Sequence, residues 1–326
     1  MKKKAIILVN LGTPEAPTPR SVAKFLKQFL SDSRVVEAPK LLWWFLLRLV
    51  IIPLRAKKVA HSYGEIWLPE GSPLRVITKR QVAALQKQLD TEADAGDAVV
   101  CEAMTYGEPS LSRTFQELQG QGVEEFLVLP MYPQYSGSTT GAIYDQLSVI
   151  IQQSRNIPDI CVIKSFHDHP DYIDCLAQSI RDSWEHHGRH EKLLMSFHGI
   201  PQEYVDKGDP YYQHCLETAE AVANKLALQQ GDWVMSFQSR FGPKKWLQPY
   251  TDEQLKAWAA AGVESIDIIS PAFTVDCLET LEELNISYRE LFLSHGGQHY
   301  QYVSCLNDQP EFIKALSSMI KPKLFH

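Results

Sequence analysis

Apolar residues in this chain gather into short unbroken runs rather than one long amphipathic stretch. Eight such runs, at 5–10, 98–104, 125–131, 160–165, 192–197, 232–237, 265–270 and 300–304, are each bounded by polar or glycine-containing segments. Runs of this length without strict alternation are the pattern of parallel strands covered on both faces. Between them the spacing predicts helices over 20–31, 76–90, 110–120, 140–154, 170–187, 210–229, 252–261 and 275–291. A last amphipathic segment, 309–321, is expected to pack back on the first half. Thr251 is read as an N-cap ahead of the acidic Asp252 and Glu253. Strand and helix in alternation predict an α/β fold with one doubly wound, four-stranded parallel sheet in each half.

The two halves read alike. Ile6-Ile7-Leu8-Val9-Asn10-Leu11-Gly12-Thr13-Pro14-Glu15 and Leu193-Leu194-Met195-Ser196-Phe197-His198-Gly199-Ile200-Pro201 both run from an apolar strand into a Gly-x-Pro turn. Cys101–Pro109 is echoed by Ser236–Pro243, and Leu127–Pro130 by Ile268–Pro271. The prolines Pro14 and Pro201 are offset by 187 positions, Pro109 and Pro243 by 134, and Pro130 and Pro271 by 141. The last two nearly agree and the first exceeds the second by 53, so the first half carries an inserted segment of about that size between its first two strands. A histidine precedes the turn glycine in the second half alone, which places the chemistry there.

A length of 326 residues suits two domains, and 44% hydrophobic content is ordinary for a globular protein. A net charge of −7 leaves no basic stripe to neutralise phosphates, which argues against a nucleic-acid partner. Six cysteines stand singly, without a C-x-x-C pair, which speaks for reduced thiols and against a structural zinc or an iron–sulfur site. Met1-Lys2-Lys3-Lys4 runs straight into a strand, and no export signal is read.

Inside the inserted segment, 41–54 is the most apolar stretch of the chain, with Trp43 and Trp44 side by side and Arg48 within it. Fourteen residues interrupted by a charge cannot span a bilayer, which takes about 20. Followed by Arg55, Lys57 and Lys58, it fits either a surface for lipid headgroups or a large apolar ligand, or a buried core helix.

In open parallel sheets the ligand lies outside the carboxyl ends of the strands, and the unusual turns of this chain all fall there. They are expected to converge on one cleft between the halves. None is a dinucleotide fingerprint or a phosphate loop, which disfavours nucleotide chemistry. His198, at a strand end, suits a neutral base, a metal ligand or a hydrogen-bonded structural residue. Glu279 and Glu283, four apart at the start of a helix, project from one face and suit cation binding or proton relay. One imidazole and one carboxylate are too few for a structural metal site, but suit transient capture of a borderline divalent ion such as Fe²⁺, Co²⁺ or Zn²⁺. The His186-His187-x-x-His190 tract resembles a metal motif at a polar helix end and is given little weight. The loop 132–141, rich in tyrosine, serine and threonine, can lie flat on a planar ligand, and Arg240 can pair with a ligand carboxylate.

The distinctive motifs are Asn10-Leu11-Gly12-Thr13-Pro14, Gly71-Ser72-Pro73-Leu74, Tyr132-Pro133-Gln134-Tyr135-Ser136, Ser196–Pro201, Lys207–Tyr211, Gly242-Pro243 with Trp246-Leu247 and Pro249, and Asp276–Leu281. Taken together they resemble the ferrochelatase family. Cys277 stands where animal members carry histidine, and Gly137 where some cluster-bearing members carry cysteine. With no cysteine after Cys305, the chain resembles the Gram-negative bacterial type without an iron–sulfur cluster.

The resemblance implies two similar Rossmann-like, chelatase-like domains: 1–158 plus 306–326, with an apolar lip at about 35–75, and 159–305 carrying the catalytic residues. It implies insertion of ferrous iron into protoporphyrin IX to form protohaem, with Fe²⁺ as a substrate and no permanently bound cofactor. His198 and Glu279 would be the catalytic and metal residues, with Glu283 and Glu282 as a path for protons or metal. Leu11, Tyr132, Tyr135, Ser136, Arg240, Trp246, Trp43 and Trp44 would contact the porphyrin. A location in the cytoplasm, peripheral contact with the inner membrane through 41–58, and contact with the preceding haem-pathway enzyme are further expectations. A chelatase for cobalt or nickel, one acting on a porphyrin with four carboxylates, and a non-catalytic carrier for haem or porphyrin are the alternatives.

Overall fold

The computed structural model describes residues 3–91 and 98–324. Met1 and Lys2, with which the reading of the N-terminus begins, lie outside the described residues, as do 92–97 and 325–326 of the first-domain assignment. The chain forms two compact units: the second comprises Pro133–Tyr135 and Phe166–Asn307, and the first takes the rest.

The first unit is built from β1 (Lys3–Asn10), α1 (Pro19–Leu30), α2 (Lys40–Leu46), a π-helical turn (Leu47–Ile51), α3 (Ile52–Ile66), α4 (Pro73–Asp90), β2 (Ala98–Met104), α5 (Leu111–Gly120), β3 (Val123–Pro130), α6 (Thr140–Gln153) and β4 (Asp159–Val162). Its four strands are parallel in the order β2-β1-β3-β4. Both faces of β1 are buried. Ala5, Ile7 and Val9 pack with Phe115 of α5 and Ile143 and Leu147 of α6. The second unit continues with α7 (Pro170–His187), β5 (Lys192–His198), α8 (Gln202–Asp206), α9 (Tyr211–Lys225), β6 (Trp233–Gln238), α10 (Thr251–Ala260), β7 (Ser265–Ile269), a π-helix (Leu278–Ser287), α11 (Tyr288–Ser294) and β8 (His299–Tyr302). Its sheet repeats the first, β6-β5-β7-β8, again parallel. Leu194, Ile266 and Ile268 pack there with Leu255 of α10, Leu284 of the π-helix and Phe292 of α11. Helix α12 (Pro310–Leu324) packs on α4 and β3 of the first unit.

Two details depart from the sequence reading, and one open alternative is decided. The run at 160 does not open the second domain. As β4 it pairs with the outer edge of β3, Phe126 opposite Ile160, so 159–165 stand in the first unit. The helix expected over 275–291 is a π-helix of ten residues followed by α11, and the turn before it is irregular. The inserted segment is not a buried core helix: of residues 40–54, Leu47 alone is buried, while Leu41 is 74% and Leu54 73% exposed. No helix among the described residues is long and apolar enough to cross a membrane.

Candidate active site

Strand β5 carries Leu193 to Phe197 fully buried and releases His198, half-buried, at its carboxyl end. The ring Nδ1 lies 2.7 Å from the carbonyl oxygen of Gly199. A carbonyl accepts only, so Nδ1 carries the proton and Nε2 is the nitrogen left to take a proton or a metal. The His198 carbonyl is held by the Tyr211 hydroxyl at 2.9 Å. Gly199 donates its N–H to the Gln238 carbonyl at 2.8 Å. A Cβ at Gly199 would lie 2.8 Å from that same oxygen and 3.1 Å from the Trp246 ring, so close backbone approach is what selects glycine here. In the first unit the matching turn uses Gly12 at φ +106°, where a Cβ would overlap the Tyr106 carbonyl.

Opposite His198 in the β5–β6 register stands Gln238. Its Nε2 donates to the Glu279 carbonyl at 2.8 Å and to Glu283 Oε2 at 3.1 Å. Glu283 gathers three further donors: the Ser239 amide at 3.0 Å and the Tyr288 hydroxyl at 2.9 Å on Oε1, and the Ser239 hydroxyl on Oε2. Ser239 adopts φ +62°, a left-handed backbone unusual for serine, and both its amide and hydroxyl point at the same carboxylate. Burial, then the Glu283 charge, pushes the Tyr288 hydroxyl well above its ordinary range, so it stays a donor. Both carboxylates sit on a π-helix, a form concentrated at functional sites. Cys277 caps its start, with its amide on Thr280 Oγ1 at 2.9 Å.

Beneath Gln238 lies a buried hydroxyl network. Ser196 Oγ is 2.8 Å from Gln238 Oε1 and 2.8 Å from Thr251 Oγ1, and Thr251 Oγ1 also meets Ser236 Oγ at 2.9 Å. Thr251 is therefore the first residue of α10 rather than its N-cap, a place held by Tyr250. Gln238, Ser239, Tyr288 and this network escaped the sequence reading. The available signal was that Gln238 ends a strand beside His198.

The remaining candidates divide. In the second unit, Glu282 accepts from Ser287 at 3.3 Å, and half-buried Trp246 donates its indole N–H to the Phe241 carbonyl at 2.9 Å. Arg240 is not open to a ligand carboxylate as expected. Its guanidinium lies 2.9 Å from both Asp252 and Glu253 and sits over the Tyr250 ring. The Tyr135 amide donates to His214 Nδ1. In the first unit, half-buried Leu11 and Tyr132 follow β1 and β3. Ser136, expected on a ligand-facing surface, is 1% exposed with its hydroxyl on Ser138. The two tryptophans part company: Trp43 donates its indole N–H to the Leu30 carbonyl of α1 at 2.7 Å, whereas Trp44 is 46% exposed beneath Arg48.

The histidine tract is structural. His190 Nδ1 bonds buried Asp267 at 2.8 Å, which also takes the Trp184 indole N–H at 2.7 Å, and His186 bonds the Asp182 carbonyl. The cysteines are free thiols. Among the described residues no group of three or more histidine, cysteine or acidic side chains is arranged to hold a metal ion.

The ferrochelatase family model matches residues 3–324. A ferrochelatase of Psychrobacter cryohalolentis is 49% identical over 318 residues, 98% of this chain and 94% of the relative. Another, from Aeromonas hydrophila, is 48% identical and covers 98% of both chains. Among solved structures, SirB from Bacillus subtilis with Fe³⁺ superimposes with a TM-score of 0.57 at 10% identity, over 100% of this chain and 96% of that one, a likeness of fold.

Proposed function

The chain belongs to the ferrochelatase family, and from that premise we propose how its own residues carry the reaction. It is a lyase of haem biosynthesis, a metal–tetrapyrrole chelatase that inserts ferrous iron into porphyrin. In this reading the acceptor is protoporphyrin IX and the product protohaem. A flat porphyrin presents no exposed lone pairs, and two of its four nitrogens are protonated. Binding that bends the ring tilts those nitrogens outward and eases loss of their protons, the distortion being supported by contacts remote from the centre.

Insertion of Fe²⁺ displaces both pyrrole protons: His198 Nε2 takes the first, passes it on, and then takes the second. The observation that carries this is the Nδ1–H bond to the Gly199 carbonyl, which fixes the ring's tautomer and leaves Nε2 with its lone pair. Glu279, its backbone held by Gln238, receives the incoming Fe²⁺ or orients His198. One carboxylate, joined by His198 Nε2 only before that nitrogen takes a proton, holds a divalent ion loosely enough to release it, as a substrate requires. Glu283 and Glu282 continue the path outward. Because four donors fill Glu283, its role is proton relay through the Ser239 and Tyr288 hydroxyls rather than metal ligation.

As porphyrin contacts the reading keeps Tyr135, Trp246, Leu11, Tyr132 and Trp44. It withdraws Arg240 and Ser136, whose polar groups are committed elsewhere, and Trp43, which is bonded to the Leu30 carbonyl of α1 and less exposed than its neighbour Trp44. No permanent cofactor or iron–sulfur cluster enters the reading, in line with cysteines that stand singly. The exposed apolar face of 41–58, flanked by Arg48, Arg55, Lys57 and Lys58, fits peripheral attachment to the cytoplasmic side of a membrane.

The test is metal insertion into protoporphyrin IX, with Fe²⁺, Co²⁺ and Ni²⁺ compared, in wild type and Glu279→Gln. Wild type turns over with Fe²⁺. The variant loses about 10²–10⁴-fold in rate while binding porphyrin normally. Spectral binding without turnover would identify a carrier, and a full-rate Glu279→Gln would remove that residue from the mechanism.

A further inference from the structure

Residues 133–135 follow β3 in the chain but pack within the second unit. Gln134 Nε2 donates to the Pro271 carbonyl at 3.3 Å and the Phe166 amide donates to the Pro133 carbonyl at 3.0 Å, and two groups one turn apart on α9 add to this hold. Gln134 Nε2 donates to Thr218 Oγ1 at 3.0 Å, and the Tyr135 amide donates to His214 Nδ1 at 3.2 Å. A backbone amide cannot accept, so His214 Nδ1 must bear a lone pair, and the proton of this neutral ring sits on Nε2.

The ring is held in that pose by a second imidazole. His214 stacks on His167, with centroids 3.7 Å and planes 4° apart. His167 is buried and fixed at two points: its Nε2 lies 2.7 Å from Glu217 Oε2, and its carbonyl accepts from the Thr218 hydroxyl at 2.9 Å. Glu217 also takes the Gln213 amide at 3.0 Å. That bond, then the one from His167, holds its carboxyl below the ordinary range and so in the accepting form.

We infer that His214 is a positioning residue for porphyrin binding: as an Nδ1 acceptor locked by stacking on His167, it fixes the backbone of Tyr135 and through it the tyrosine side chain. The inference rests on the reading of Tyr135 as a porphyrin contact. A requirement for an acceptor at this one atom sets it apart from ordinary packing, because asparagine can offer Oδ1 near the place of Nδ1 whereas phenylalanine keeps only the ring.

The experiment measures KM for protoporphyrin IX and kcat for His214→Phe, His214→Asn, Tyr135→Ala and the double variant His214→Phe/Tyr135→Ala, with a thermal melt of each. His214→Phe should raise KM roughly fivefold, the scale of one lost hydrogen bond, with kcat within about twofold. His214→Asn should restore KM to within about twofold of wild type. Adding His214→Phe to Tyr135→Ala should raise KM no further. A wild-type KM in His214→Phe, an asparagine variant no better than phenylalanine, or an additive double variant overturns the inference. If Tyr135→Ala leaves KM unchanged, the porphyrin-contact reading fails and the inference with it. If Tyr135→Ala raises KM and His214→Phe does not, the inference alone fails. Independently of any variant, the imidazole ¹⁵N spectrum of the wild-type protein should show His214 protonated on Nε2, and a proton on Nδ1 overturns the inference.

Discussion

Gln238 and Glu283 are joined by a 3.1 Å hydrogen bond from the amide nitrogen to Oε2, and the same nitrogen reaches the Glu279 carbonyl at 2.8 Å. Because Gln238 stands opposite His198 in the sheet, one side chain ties the strand end bearing the imidazole to the helix bearing the carboxylates. Gln238 is 1% exposed, and both ends of its amide are hydrogen-bonded within the protein. Gln238→Leu, of similar volume, removes the donor to the Glu279 carbonyl and Glu283 Oε2 and the acceptor for the Ser196 hydroxyl, leaving Glu283 Oε2 with Ser239 and Ser196 with Thr251. We expect about 1–3 kcal/mol lost in urea unfolding and a marked fall in iron insertion at unchanged porphyrin affinity. Wild-type turnover in a destabilised variant would show that the link is structural only.

Glu283 and Glu282 are neighbours with unlike surroundings. Glu283→Gln turns an amide NH₂ toward groups that can only donate or already donate, at a cost of about 1–3 kcal/mol. Glu282→Gln keeps an oxygen to accept the 3.3 Å bond from Ser287 and should cost less than Glu283→Gln. Chemical denaturation of both variants checks the contrast, and equal effects would contradict it.

The tryptophans of the inserted segment should separate stability from surface binding. Trp43→Phe removes the donor to the Leu30 carbonyl and should cost about 1 kcal/mol. Trp44→Ala should leave stability within about 0.5 kcal/mol but weaken sedimentation with anionic lipid vesicles. Vesicle binding that depends on Trp43 and not on Trp44 would reverse these roles.

The thiols give a pH dependence with a definite sign. Burial, then the Glu102 charge, pushes the Cys101 thiol up to about 12, and burial raises Cys215, Cys277 and Cys305 well above the ordinary range. The folded protein thus holds protons that the unfolded chain gives up. This contribution to stability is fully present below the unfolded thiol value of about 8.5 and is lost as pH rises from there through about 12. Unfolding midpoints should fall from pH 8 to pH 10.5. Alkylation of Cys101 at pH 8 should be slow until the protein unfolds, and rapid labelling of the native state would contradict the assignment.

The sheets were legible because doubly buried parallel strands leave unbroken apolar runs: β2 falls on the predicted 98–104 and β5 within a residue of 192–197. His198 was legible for a related reason, as a polar residue closing such a run. The π-helix was not, since i→i+5 bonding leaves no distinct period in Leu278–Ser287. Arg240 was misread because an exposed arginine near a turn looks open until Asp252 and Glu253 fold against it. The His167–His214 stack joins residues 47 positions apart, and no local pattern announces it.

Single-turnover iron insertion by His198→Ala, with porphyrin binding followed by fluorescence on the same samples, tests the central claim most directly. If His198 Nε2 is the proton acceptor, the variant binds protoporphyrin IX with wild-type affinity and inserts Fe²⁺ about 10²–10⁴-fold more slowly. Insertion at the wild-type rate with normal porphyrin binding would contradict the account.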